Sequence, residues 1–404
     1  MNIVIVGPFP FPTGSASAAR IRNFALGFRD CGMQVHVLAM APTQTHPLSS
    51  KKRTLLEFEG ITYERMAVFE RNKYGSLIAK LRWFLGLYGS IWSTYWQLNQ
   101  LINEGKCDLF LSYGRSAILQ WPLVKLCKQH NIPTVLDVTE IAESFSAFGG
   151  RLNPIYWDQQ LGTKYMPLHF DIISAITRDL EKRHKILGCK QVIVIPSIED
   201  WSNLIRVEPK PLNNNFQLVY VGALIDRDSP DLLLDALKIL RLRGMSVQLD
   251  VIGRFQKSPE GRKRAARILA DPLLQTCVNL VGEISDEELT NRLYEADGLV
   301  LLRRNAATEI SSFPTRLVEY LRQGRPVFVS DVGDISIYLR HERDALLLSP
   351  HDPTQVADTI QAVMASPDRG YTIGIQGRLS GAKYFDRQVH ARRLLDIAAS
   401  VNQE

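Results

Sequence analysis

The sequence predicts an α/β protein made of two parallel-sheet domains in series, and three observations predict it. A short apolar run at Ile3–Val6 is followed by a loop, an amphipathic stretch and a second apolar run at Val35–Leu38. That order is a β-loop-α-β unit, which implies a right-handed crossover and a parallel sheet. The same order begins again at Gln217–Gly222, with a loop at 223–230, a helix from Asp231 and a further strand at Val247–Gly253. Between the two, residues 201–215 contain Pro209, Pro211 and Asn213-Asn214, the composition of a linker. The expected organisation is a first domain over 1–200, the linker, a second domain over 216–380 and a closing helix within 381–404.

The bulk composition agrees. A chain of 404 residues suggests two or three domains, and 45% hydrophobic with 22% charged residues describes a soluble protein with a real core. The five cysteines, at 31, 107, 127, 189 and 277, form no CxxC and no zinc spacing, which suits reduced thiols and a cytoplasmic setting. Met1–Gly7 lacks a basic leader and reads as a first strand. No window reaches the roughly 18 unbroken apolar residues of a membrane span. A net charge of +6 suits phosphate-bearing ligands or anionic membrane surfaces. No nucleic-acid motif is present, so no nucleic-acid partner is expected.

In the first domain, the loop Gly7–Ser17 is rich in Pro, Gly and Ser and comes directly after a strand, where parallel sheets bind ligands. The absence of GxGxxG excludes a dinucleotide fingerprint. A strand pair is expected around Phe58–Tyr63. The stretch 73–96 sets Lys73, Lys80 and Arg82 among Trp83, Phe84, Tyr88, Trp92, Tyr95 and Trp96. It reads either as an apolar helix packed on the first sheet or as one resting on the inner face of a membrane. A later strand, Ile132–Val138, brings Asp137 and Glu140 to its C-terminal end, with Glu143 one turn on and a Gly-rich loop at 145–153. These carboxylates are candidate catalytic groups or helix caps.

In the second domain, Asp226-Arg227-Asp228 spells D-x-D, a three-letter match to which no metal is assigned. Arg254 stands directly after a strand-end glycine. The most informative stretch is Ser311–Leu321 with Gly324–Ser330. Serine before Phe-Pro is expected as an N-cap, with Pro314 in the first helical turn. Leu317, Tyr320 and Leu321 fall on one face, Gly324 ends the helix, and Val327–Val329 is a buried strand. A helix start is an anion site, and Glu319 lies more than one turn in, within reach of a neutral group such as ribose hydroxyls. Its bland alternative is an ordinary capped helix. Further helices are expected at 354–365 and 382–399.

This stretch resembles the nucleotide-sugar motif of the family 4 (group 1) glycosyltransferases, which runs E-x-F-G, four residues, E-A, then G-x-P-V. Phe313, Glu319, Gly324, Pro326 and Val327 match, while Ser311 stands where the family has its first Glu. Glu309, two residues earlier, is the candidate substitute for that Glu. The branch written S-F-P-T-K-x-x-E-Y is closer. The likeness covers nearly the whole chain and is strongest from 216 to 350. It implies two Rossmann-like domains facing each other across a cleft, the GT-B architecture, with acceptor-binding and donor-binding halves. It also implies a nucleotide-diphosphate sugar as co-substrate, UDP- or GDP-linked, and neither cofactor nor metal. The expected reaction is retaining transfer to a glycan or lipid-linked acceptor in bacterial surface polysaccharide or glycoconjugate synthesis.

By the same resemblance, Gly14, Ser15 and Arg20 face the donor from the first domain. Gly222, Arg227, Arg254, Gly282, Ser311, Ser312, Phe313, Pro314, Thr315 and Glu319 hold it in the second. Asp137 or Glu140 approaches the reacting sugar. Ala223 and Asp228 occupy positions where the family has bases, so Arg227 is expected to carry the diphosphate charge. Those departures keep two other classes open: a non-catalytic nucleotide-sugar-binding partner subunit, and an epimerase of the same architecture.

Overall fold

The computed structural model describes residues 1–40, 55–66, 77–141, 154–204, 206–209 and 215–401, except for the side chains of 77–88 and 154. The expectations on Lys73, Glu143, the 145–153 loop and linker residues 205 and 210–214 lie outside the described residues, as do those on the side chains of Lys80 to Tyr88. The chain divides into two compact units, Met1–Asp200 with Arg387–Glu404, and Trp201–Asp386.

The first unit is built on eight strands: β1 (Asn2–Gly7), β2 (Gln34–Ala39), β3 (Leu56–Phe58), β4 (Ile61–Arg65), β5 (Leu109–Tyr113), β6 (Thr134–Val138), β7 (Ile172–Ala175) and β8 (Gln191–Val194). They lie in the order β3-β4-β2-β1-β5-β6-β7-β8. All pair in parallel except β3 with β4, the expected strand pair, which is antiparallel. β1 lies between two neighbours, with Ile3 opposite both Val35 and Leu109. Its residues Ile3 to Val6 are fully buried, which explains the unbroken apolar run.

The chain leaves β1 towards β2 and later returns towards β5, so the helices divide between the two sheet faces. Right-handed crossovers put α2 (Leu77–Asn103), α3 (Ala117–Gln129), α4 (Pro154–Lys164) and α5 (Arg178–Leu187) on one face, and α1 (Ala16–Asp30) on the other. The chain's last helix, α14 (Arg387–Val401), packs on α1. Gly27 permits this approach, because a Cβ there would lie 2.7 Å from the Arg387 carbonyl oxygen. The single helix expected at 382–399 is thus two helices. The chain turns at Asp386, after α13 (Pro367–Phe385), and α14 beyond the turn belongs to the first unit.

The second unit has six parallel strands: β9 (Phe216–Val221), β10 (Val247–Ile252), β11 (Val278–Gly282), β12 (Gly298–Leu301), β13 (Val327–Ser330) and β14 (Leu346–Leu348). Their order, β11-β10-β9-β12-β13-β14, is the 3-2-1-4-5-6 order of a doubly wound sheet. Its helices include α6 (Pro230–Leu242), α7 (Pro259–Ala270), α8 (Asp286–Glu295), α9 (Ala307–Ile310), α10 (Thr315–Arg322), α11 (Ile335–Tyr338) and α12 (Pro353–Ala365). The order reverses at β9, which pairs with β10 on one side and β12 on the other. In such sheets the crevice beyond the strand ends at the reversal point is where ligands bind.

Candidate functional site

The strand ends of the second unit are stripped of side chains at that reversal point. β9 runs into Gly222 and β10 into Gly253, while β11 ends on Gly282. Gly253 has φ +136°, and a Cβ on it would stand 2.6 Å from the Gly222 carbonyl oxygen. Its N–H donates to the Gly282 carbonyl at 2.8 Å. Adjacent strand ends therefore lock together backbone to backbone and form a floor without side chains at these three positions.

Above it, the loop after β9 carries Arg227, which is exposed and donates to Ser312 Oγ at 3.0 Å. Its neighbours diverge. Asp226 pairs with Arg264 of α7, and Asp228 accepts from the Tyr220 hydroxyl at 3.2 Å. Burial raises the pKa of Asp228 against the opposing pull of Tyr220, Arg227, Arg303 and Arg316. The D-x-D carboxylates thus turn to separate partners. Among the described residues no group of three or more His, Cys, Asp or Glu is placed to hold a metal ion.

The second guanidinium was not foreseen. Arg303, just past β12, is 2% exposed. It donates to the carbonyls of Glu309 (3.3 Å) and Ser312 (3.1 Å) and to Ser312 Oγ (2.8 Å). Its own N–H donates to Ser330 Oγ at 3.1 Å. Burial, with Arg227 nearby, lowers its pKa to about 10, so it stays charged at neutral pH. Among the described residues no carboxylate forms an ion pair with it. The only sequence signal was its position, a basic residue at the C-terminal end of a central strand.

Ser312 is therefore a buried joint, not a cap. Its Oγ donates to the Thr308 carbonyl at 2.8 Å and accepts from both arginines. Ser311 is fully buried at the end of α9 and donates to the same carbonyl at 3.3 Å. The expected serine N-cap is corrected: Pro314 itself occupies the N-cap of α10, and no side chain caps that helix. Thr315 is its first residue. Phe313 is buried too, its ring 5.6 Å from Tyr338 and 5.4 Å from Phe385, so it anchors the turn rather than facing a ligand.

α10 is fixed against the sheet by Tyr320, whose hydroxyl accepts the Val221 N–H at 2.9 Å. Leu317, Val318 and Leu321 are buried with it, and Gly324 turns the chain away at φ +68°. Glu319 keeps 31% side-chain exposure and accepts from Arg316 at 2.7 Å. Glu309, the candidate substitute for the family's first Glu, is 1% exposed. Burial would raise its pKa, but the Thr308 hydroxyl and Arg304 outweigh that and lower it. Arg254 sits on the rim at the end of β10, sharing Glu283 with Lys257 at 2.6 and 3.0 Å.

In the first unit the site residues separate into two kinds. Asp137, the catalytic candidate, and Arg20, the expected donor ligand, are buried against each other. Arg20 Nε and Nη2 donate to the two Asp137 oxygens at 2.7 Å each. Its remaining bonds go to the carbonyls of Pro196 (2.8 Å) and Ile195 (3.0 Å), and Ser174 donates to Asp137 at 2.8 Å. Ser15 is the cap of α1, accepting from the Ala18 N–H at 3.1 Å, and Gly14 before it has φ +115°. Glu140 stays accessible at 44% side-chain exposure, 3.3 Å from Arg115.

Residues 203–395 match the family model of the group 1 glycosyl transferases. The chain is 24% identical over 187 residues to the amylovoran biosynthesis glycosyltransferase AmsK of Erwinia amylovora. It is 29% identical over 205 residues to the D-inositol 3-phosphate glycosyltransferase of Jonesia denitrificans. These matches span 46% and 48% of this chain and 45% and 46% of the relatives, so about half of each relative's length is covered. Sucrose-phosphate synthase from Thermosynechococcus elongatus superposes with a TM-score of 0.73 at 16% identity, covering 99% of both chains. Anabaena HepE, in complex with UDP and glucose, superposes with a TM-score of 0.71 at 16% identity, over 99% of this chain and 100% of its own. The fold is that of the two-domain GT-B glycosyltransferases, and its C-terminal half carries the match to group 1.

Proposed function

We propose that the protein is a glycosyltransferase that takes its sugar from a nucleotide diphosphate, UDP- or GDP-linked, and passes it to a glycan or lipid-linked acceptor with retention. Surface polysaccharide or glycoconjugate synthesis in a bacterium is the setting that suits it. The observation that carries this reading is the convergence of Arg227 and Arg303 on Ser312 Oγ, beside the uncapped start of α10. Breaking a sugar–phosphate bond develops negative charge on the diphosphate. Fixed guanidinium and backbone N–H donors stabilise that charge without reorganising, at about 3–4 kcal/mol for a well-placed donor. Glu319, one turn further along α10, is the group to take the ribose hydroxyls. The close packing of Gly222 and Gly253 brings the strand ends together beneath that helix start.

The leaving group is held without a metal in this reading, because Asp226 and Asp228 are committed to Arg264 and Tyr220. The first unit supplies the acceptor side, with Glu140 as its accessible carboxylate. UDP is the first nucleotide to try, since HepE has been crystallised with UDP and with UDP-glucose.

A thermal-shift panel of UDP-, GDP- and dTDP-sugars selects the donor, and titration calorimetry then compares Glu319→Gln with the parent. The variant is expected to bind the donor at least about tenfold more weakly, a loss of ~1.4 kcal/mol, and to lose transfer. Unchanged affinity and activity would remove the site assignment. Donor binding with neither transfer nor hydrolysis would make the chain a binding subunit, and an altered free nucleotide sugar would make it an epimerase.

A further inference from the structure

The outer face of the α2–α3–α4 layer in the first unit gathers exposed aromatic surface. Of the five tryptophans with described side chains, Trp92, Trp96, Trp121 and Trp157 are 53–64% exposed, and only Trp201 is buried. All four lie on these three helices. α3 contacts both α2 and α4, and exposed residues of helices layered on a sheet point away from it, so the four rings lie on the outer side of one helix layer, with Trp92 and Trp96 6.1 Å apart on α2. Ile118, Leu161, Tyr165 and Leu168 are also exposed there. An apolar groove of about 410 Å³ opens between α3 and α4, lined by Ile118, Trp121, Pro122, Leu161, Tyr165 and His169. A single exposed apolar residue needs no account, but a contiguous set marks an interaction surface.

Charge selects the occupant. In α2, α3, α4 and the turn Met166–His169 the basic residues are Lys80, Arg82, Lys125, Lys128 and Lys164. The one carboxylate is Asp158, and it accepts the Ile118 N–H at 2.8 Å, at the start of α3. Over the whole chain the two signs are nearly balanced, 48 to 42. Lys125, Lys128 and Lys164 are exposed on the same helices as Trp121 and Trp157. Amphipathic rings with lysines at their margin are the composition that settles at the headgroup level of an acidic bilayer. We propose that this face seats the first unit on an anionic lipid surface, with the four tryptophans at headgroup depth and the three lysines on acidic headgroups. The inference goes beyond sugar transfer and stands whether or not the chain transfers sugar.

The test is co-sedimentation of the full chain with vesicles of phosphatidylglycerol mixed into phosphatidylcholine, read together with tryptophan emission. The protein is expected to pellet with the acidic vesicles, with blue-shifted emission, and to stay in solution with phosphatidylcholine alone. Trp121→Ser with Trp157→Ser should lower the partition at least about tenfold. Lys125→Gln, Lys128→Gln and Lys164→Gln together should lower it roughly a hundredfold, at about fivefold per lysine. The changed residues are exposed, so unchanged melting temperatures verify the fold. No pelleting with acidic vesicles, or pelleting unaffected by either set, would overturn the proposal. So would a concentration-dependent dimer in light scattering that Trp121→Ser abolishes, which would give the face to a second copy of the chain.

Discussion

Asp137→Asn separates a structural carboxylate from a catalytic one. The substitution keeps the side chain's shape and removes its charge. Arg20 is left charged at 5% exposure, with its two carbonyl contacts but without the carboxylate that balances it. Removing one member of a buried pair costs about 3–5 kcal/mol, because the remaining charge is desolvated without compensation. In a unit of this size each kcal/mol lowers the melting temperature by about 2–4 °C, so the expected fall is roughly 6–20 °C. Replacing both partners, Arg20→Met with Asp137→Leu, removes both desolvation costs and should recover about half of the loss. The carbonyls of Ile195 and Pro196 then go without their donor, which leaves a residual of about 1–3 kcal/mol.

The assay is thermal unfolding of the full chain by circular dichroism, with and without saturating nucleotide. A nucleotide that binds the second unit would raise that unit's transition and leave the first unit's transition to be read. The result that would refute the reasoning is an Asp137→Asn protein that melts like the parent and transfers no sugar. The carboxylate would then serve chemistry, and its burial against Arg20 would not describe its role.

Arg303→Met should weaken binding of the nucleotide sugar at least about tenfold by calorimetry. Arg303→Lys should not restore it, because one ammonium cannot reproduce the planar fork across the Ser312 carbonyl and hydroxyl. Wild-type affinity in both variants would remove Arg303 from the site. Gly253→Ala places a Cβ 2.6 Å from the Gly222 oxygen at φ +136°, and should cost the second unit about 1–3 kcal/mol in urea unfolding; an unchanged midpoint would contradict the close approach. The folded pKa of Asp228 is raised, so its contribution to stability is full below the ordinary Asp range and is lost as pH rises through the folded value. Asp228→Asn should therefore gain on the parent as pH rises through that window, and melting curves showing the opposite slope would refute the assignment.

Much of this was legible because strands buried on both faces write themselves as apolar runs. Ile3–Val6 and Val327–Val329 needed nothing beyond periodicity and flanking glycines. The helix at 315–322 was legible from Leu317, Tyr320, Leu321 and Gly324, which mark its buried face and its end. Its cap was misread because Ser312 has competing partners, and two guanidiniums and a carbonyl take the hydroxyl that N-capping would need. The Arg20 partner of Asp137 was not legible, because position along a strand does not say which face a side chain takes. Here it takes the face where Arg20 arrives from α1, 117 residues away in sequence. A long-range pair of that kind leaves no local signature. The break at Asp386 was missed for a related reason: α14 packs on α1, and the signal is the glycine at position 27, far from the helix it accommodates.

The departures from the family motif and the unforeseen arginine belong to one electrostatic arrangement. Where the motif has an acidic residue, the chain has Ser311, fully buried and bonded to the Thr308 carbonyl. A carboxylate in that turn would stand near Arg303 and cancel its charge. The nearest acid in sequence, Glu309, is already held by the Thr308 hydroxyl at 2.5 Å and by Arg304 at 3.3 Å. Among the described residues Arg303 therefore has hydrogen bonds that satisfy its shape and no direct ion pair, with Glu309 and Asp228 favouring its charge from further off. A buried cation without a counter-ion costs several kcal/mol unless something supplies the opposite charge. The helix start beside Ser312 and the exposed guanidinium of Arg227 act in the same direction. A diphosphate seated there would bring an anion into direct contact. Such an anion would gain from every one of these donors at once, and that gain is what a donor site can convert into affinity.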